Sequence, residues 1–195
     1  MTLPTAAQVG AVLEASGHAF RPFGALCAFA GLRLGEAAGV QVGDIDSLRR
    51  TLTVARQVQR AGRGQVEIRP PKFGSEHVVF LAPGLVDMLA AHVAAVGLEG
   101  GWIFTGEGNQ PPTRTRSGHR WRIANAAAGV SGLRLHDLRH FYASGLIAAG
   151  CDAVTVQRAL GHSSAPTTLS TYWHLWPSAE DRTRAAAQAL LADSC

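Results

Sequence analysis

Four groups of side chains in this 195-residue chain stand outside its apolar pattern and could do chemistry. They are Arg33 ahead of a predicted helix, Lys72 on a predicted loop, His136-Asp137-Leu138-Arg139-His140 at a predicted helix start, and His162 followed ten residues later by Tyr172. His136 and Arg139 are three apart and so share a helix face. A helix N-terminus adds partial positive charge there, which suits an anion such as a phosphate. Arginines, histidines and a lysine with no carboxylate cage describe a pocket for an oxyanion, so no metal site and no cofactor are expected. Tyr142 and Tyr172 are the two tyrosines. Tyr142 falls mid-helix among Phe141, Leu146 and Ile147 and reads as core, whereas Tyr172 ends a short Ser/Thr-rich segment where a side chain can be exposed and mobile. A phenol ionises near pH ~10, and neighbouring arginines would favour phenolate character as it attacks.

Lys72 is conspicuous for a second reason. It is the single lysine, the other seventeen basic residues being arginine. An amine can gain and lose a proton where a guanidinium cannot.

These side chains need a scaffold. Thr5 and Gln8 have capping-box spacing and open a helix to about Ser16. Pro22 opens a buried apolar helix, Phe23 to Ala30, that stops at Gly31. Three strands follow, Thr51–Ala55, Gln65–Arg69 and His77–Leu81, and are expected to form one small antiparallel sheet. Residues 70–76 would then be a hairpin tip presenting Lys72. Further helices are expected from Pro83 to Val96, Ser117 to Ala128, Leu135 to Ala149, Ala153 to Leu160, Pro166 to Tyr172 and Ala179 to Ala192. The fold class is α+β, mainly α-helical, in one domain.

Composition narrows the function classes. Hydrophobic residues make up 47%, enough for a core, and the net charge of +4 leans towards a polyanionic partner. Three scattered cysteines, Cys27, Cys151 and Cys195, indicate neither a disulfide framework nor a cysteine zinc site, and fit a reducing, cytoplasmic setting. No apolar run approaches the ~20 residues of a membrane span, and no cleavable leader is visible.

Ala30-Gly31-Leu32-Arg33-Leu34-Gly35-Glu36, Pro71-Lys72, His136-Asp137-Leu138-Arg139-His140, Leu160-Gly161-His162 and Thr171-Tyr172 together resemble, in order, the motif series of tyrosine recombinases, the phage-integrase family. The resemblance spans nearly the whole chain. It implies the catalytic-domain fold of that family and a site-specific recombinase that cleaves and rejoins DNA without metal or ATP, in integration or excision, for a bacteriophage, prophage or other bacterial element. Tyr172 would attack the scissile phosphate and form a 3′-phosphotyrosyl bond. Arg33 and Arg139 would clamp the non-bridging oxygens. His136 would serve the phosphate or take the tyrosine proton, His162 would add a hydrogen bond, and Lys72 would protonate the leaving 5′-oxygen. Glu36 and Asp137 would support their neighbours. Arg114, Arg116, Arg120 and Arg122 are further candidates for DNA phosphate contacts.

The resemblance also sets expectations for the whole. Residues 1–195 correspond to the catalytic domain, with the family's core-binding and arm-binding domains absent. Residues 173–195 would be a tail able to dock on a neighbouring protomer, with Leu190 and Leu191 as interface candidates and a tetramer on double-stranded DNA as the assembly. Three alternatives stay open on the residues alone. They are a type IB topoisomerase, a non-catalytic DNA-binding module, and a metal-dependent hydrolase using His136, His140 and His162. The remaining histidines, His77 and His140 among them, read as ordinary surface or core residues. Trp102, Trp121, Trp173 and Trp176 read as fillers of the core or an interface.

Overall fold

The computed structural model describes residues 3–61, 66–71, 76–97, 100–176 and 179–192. The first helix, α1 (Ala6–Ala15), starts where the sequence places it. Thr5 Oγ1 accepts from the Gln8 amide at 3.2 Å, and Gln8 Oε1 accepts from the Thr5 amide at 3.0 Å. Helix α2 (Arg21–Phe29) carries Pro22 in its first turn, where the missing N–H is harmless. From Pro22 to Ala28 it is buried on every side, and each large side chain so buried contributes about 1.5–3 kcal/mol. Gly31, at φ 66°, turns the chain towards the short helix α3 (Leu34–Ala38).

The strands differ from expectation. β1 (Ile45–Asp46), β2 (Thr51–Val54) and β5 (His77–Phe80) form one antiparallel sheet in the order β1-β2-β5, with Leu52 opposite Val79. β4 (Val66–Arg69) is not part of it. It pairs instead with β3 (Gln57–Arg60), Val58 opposite Ile68. The physical reason lies in β3, whose Gln-Val-Gln-Arg sequence hides an inward pair: Gln57 and Val58 are both buried, and Gln57 Nε2 donates to the Pro70 carbonyl at 2.8 Å. Gly35 of α3 comes so close that a Cβ there would lie 2.7 Å from the Val58 carbonyl oxygen. The segment between β4 and β5 therefore joins two sheets rather than capping one hairpin. Lys72 itself lies outside the described residues.

Four longer α-helices and two short ones follow among the described residues. Helix α4 (Pro83–Val96) leads to α5 (Arg114–Ala127), which begins three residues earlier than expected because Thr113 Oγ1 accepts from the Arg116 amide. Then come α6 (Leu135–Ala148), α7 (Ala153–Leu160), α8 (Ala165–Tyr172) and α9 (Ala179–Ala192). The main core gathers Phe23, Leu26, Leu32, Leu52, Leu89, Ile103, Trp121 and Leu138. Trp121 is buried as expected and donates from Nε1 to the Leu133 carbonyl at 2.8 Å, but Trp173 is 69% exposed. A second cluster, Ala143, Ile147, Val156, Leu160 and Tyr172, joins α6, α7 and α8. The site lies between these two cores.

Candidate active site

Arg33 is the residue before α3, in extended conformation. Its amide donates to Glu36 Oε2 at 2.8 Å and its guanidinium Nη1 to Oε1 at 2.7 Å. One buried carboxylate thus caps the helix and holds the arginine side chain. The side chain of Arg33 keeps 30% of its surface exposed, so the rest of its fork faces outward. The turn that delivers it depends on Gly31, where a Cβ would sit 2.5 Å from Cδ1 of the Tyr142 ring.

Arg139 comes from the first half of α6 and is only 3% exposed. Its Nη1 donates to the Gly31 carbonyl and its Nη2 to the Leu160 carbonyl at 2.6 Å. One guanidinium therefore ties the ends of α2 and α7 to α6. Burial, with the Arg33 charge beside it, pulls the Arg139 pKa down to about 10. Two guanidiniums share one carboxylate, Glu36, and the hydrogen bonds of Arg139 run to carbonyls. Such a pocket is electrostatically suited to an added anion.

His162 follows Gly161, which closes α7 in the left-handed region at φ 58°. A Cβ at Gly161 would collide with the ring of His77, the first residue of β5. His162 Nδ1 and Thr168 Oγ1 share a hydrogen bond of 2.8 Å. Partial burial, reinforced by Arg139 and Arg33, lowers the His162 pKa to about 4, so the ring is neutral at pH 7. His136 is exposed at the N-terminus of α6. Desolvation and then Arg139 hold its pKa below the ordinary histidine value.

Tyr172 departs from expectation. It is not an exposed, mobile side chain: it is 3% exposed and packs in the second core with Val156 and Leu160. Residues 168 and 172 lie one helical turn apart, and this face of α8 docks on α7, which buries Thr168 as well. Burial raises the phenol pKa, and the charges of Arg139 and Arg33 only partly offset it. The hydroxyl shares a 2.7 Å hydrogen bond with Nδ1 of His140. His140 in turn meets His136 edge-on, ring centroids 4.8 Å apart.

The structure thus brings Arg33, Arg139, His136, His162 and Tyr172 around one place, with Glu36 beneath them. Asp137 sits at the edge and accepts from the Arg134 amide at 2.8 Å and from its guanidinium at 2.8 Å. Three of the four arginines of α5 have partners within the chain. Arg116 pairs with Glu107, Arg120 lies over the Phe20 ring at 5.8 Å, Arg122 reaches His119 at 3.4 Å, and Arg114 is exposed. Sequence reasoning missed His140 and Thr168. The signals were there in the four-residue steps from His136 to His140 and from Thr168 to Tyr172, each placing two side chains on one helix face. Among the described residues, no group of three or more His, Cys, Asp or Glu side chains is arranged to hold a metal ion.

Comparison with known proteins bears on the fold and the family. The structure superimposes with a TM-score of 0.81 on the Tn1549 transposon integrase solved in complex with a circular intermediate DNA. That match covers 97% of this chain and 66% of the other at 19% identity, a likeness of fold. An integrase/recombinase of Sinorhizobium fredii is 32% identical over 162 residues, which is 82% of this chain and 47% of that protein. Tyrosine recombinase XerC of Corynebacterium efficiens is 34% identical over 149 residues, 74% of this chain and 43% of that protein. The chain spans about half the length of these curated relatives. The model of the Phage integrase family matches residues 8–178, from the first turn of α1 past Tyr172, and the chain belongs to that family.

Proposed function

We propose that this chain carries the catalytic domain of a site-specific DNA recombinase, which cuts and rejoins double-stranded DNA through a 3′-phosphotyrosyl intermediate. The observation that carries the reading is the convergence of Arg33, Arg139, His136, His162 and Tyr172 from α3, α6, α7 and α8 around a pocket with surplus positive charge. In this reading Arg33 and Arg139 hold the non-bridging oxygens of the scissile phosphate, where charge accumulates in the transition state. Neutral His162 donates one hydrogen bond to the same phosphate, its other ring nitrogen held by Thr168. His136, at the positive end of α6, adds a second. Tyr172 oxygen attacks phosphorus, and the Lys72 amine protonates the departing 5′-oxygen. The phosphotyrosyl bond keeps the energy of the phosphodiester, so a 5′-hydroxyl from another strand can reverse the attack and complete the exchange.

Double-stranded DNA as partner is supported by the DNA complexes of the Tn1549 integrase, and the substrate would place the enzyme with the bacterial nucleoid in the cytoplasm. Among the described residues no helix is long and apolar enough to cross a membrane. Assembly with other protomers, as a tetramer on DNA, is the counterpart for α9, where Leu191 is 59% exposed.

The test is covalent capture. A pool of randomised duplexes nicked near their centre lets the short product diffuse away after cleavage and traps the protein on the strand. The wild-type chain is expected to form an adduct that survives denaturation, with a defined junction sequence, and Tyr172→Phe is expected to abolish it. An adduct that persists in Tyr172→Phe would contradict the reading.

A further inference from the structure

His140 has no part in the roles assigned above, yet its Nδ1 lies 2.7 Å from the hydroxyl oxygen of Tyr172, the atom that would attack phosphorus. A general base should lie within about 2.6–3.2 Å of the heavy atom whose proton it takes. His140 meets that requirement. Both side chains are buried, so water competes poorly for the bond. His136 is exposed and touches the edge of His140, with 4.8 Å between ring centroids. We propose that His140 is a catalytic residue that accepts the phenolic proton of Tyr172 during attack, leaving His136 to the phosphate.

The inference rests on the recombinase reading and deepens it. As the phenolic oxygen forms its bond to phosphorus, the proton passes to Nδ1 of His140 and makes an imidazolium. The bond from phosphorus to the 5′-oxygen breaks, and that oxygen leaves with a proton from the general acid of the reading above. In rejoining, the imidazolium returns its proton to the departing phenolate. The charged and titratable groups around His140 are His136, Asp137, Arg139 and Arg134 from the same stretch of chain and Tyr172 from α8. Burial, then His136, holds the His140 pKa below the ordinary value. The ring is therefore neutral at pH 7, with a nitrogen able to accept.

The experiment uses the full chain and the duplex recovered from the randomised pool, with Tyr172→Phe as the control for the underlying reading. His140→Asn keeps a polar partner for the phenol but cannot take its proton. Adduct formation should fall by about 10²-fold or more, with binding of the same duplex unchanged. Replacing Tyr172 by a ring-fluorinated tyrosine, which ionises at lower pH, should restore most of the lost rate in His140→Asn and do little in the wild type or in His136→Asn. A His140→Asn chain that cleaves at the wild-type rate, or a slow one that fluorination does not help, overturns the assignment. Should the Asn variant not fold, nitrogen NMR of the histidine-labelled wild type decides. A bare, hydrogen-bonded Nδ1 on His140 supports the assignment, and a proton on Nδ1 overturns it. The two levels separate cleanly. Loss of adduct in Tyr172→Phe with full rate in His140→Asn removes the His140 role alone, whereas a wild-type chain that makes no adduct removes both.

Discussion

Arg139 concentrates the electrostatics of the site. It holds a guanidinium in a buried pocket beside Arg33, with carbonyl partners and one shared carboxylate nearby. The same field acts on the histidines. In the folded chain His162 titrates near pH 4, and His136 and His140 are shifted the same way, whereas an unfolded histidine titrates at 6.5. The unfolded state therefore binds more protons between these values, and stability must fall as pH drops through that window. Urea midpoints measured at neutral pH and midway down the window should show the loss, and His162→Gln should lose less between the two. Equal pH dependence in both chains would contradict the assignment of the shift to His162. Residue types at this scale were legible in the sequence, since Arg33, His136, Arg139, His162 and Tyr172 stand out from their apolar surroundings. The partner of Tyr172 was not legible, because His140 lies 32 residues away and only the docking of α8 brings the two together.

Two glycines set the positions of the elements. Gly31 and Gly161 end α2 and α7 in the left-handed region, and the backbone carbonyls beside these turns, Gly31 and Leu160, receive Arg139. Gly31→Ala places a Cβ against the Tyr142 ring and holds an L-residue at φ 66°. The backbone alone should cost about 1–2 kcal/mol, read from denaturant midpoints, and the displaced carbonyl should slow adduct formation as well. Unchanged stability would contradict the role of this turn. Most element ends were readable because they carry local chemistry, as with Thr5 and Gln8, Pro22, Gly31 and Gly161. The strand pairing was not. Val58 is the one apolar residue of β3, and its inward position arises from packing against α3 rather than from any alternation in its own sequence. The burial of Tyr172 escaped for a similar reason: a Ser/Thr-rich helix reads as exposed until Thr168 and Tyr172 are seen to share the face that meets α7.

For the molecule as a whole, two cores meet at the site. The larger one holds α2, the β1-β2-β5 sheet and α4, while the smaller joins α6, α7 and α8 and contains Tyr172 itself. The proposed nucleophile is therefore part of the packing, its phenol 3% exposed and hydrogen-bonded to His140. The central claim is that Tyr172, and no other side chain, becomes bonded to DNA. Trypsin offers a direct reading, because cleavage after Arg139, Arg158 and Arg182 puts Tyr142 in the peptide 140–158 and Tyr172 in the peptide 159–182. Mass spectrometry of the nuclease-trimmed adduct should find the nucleotide on the peptide 159–182, with fragment ions placing it on Tyr172. A nucleotide on the peptide 140–158, or on a residue of 159–182 other than Tyr172, would contradict the account.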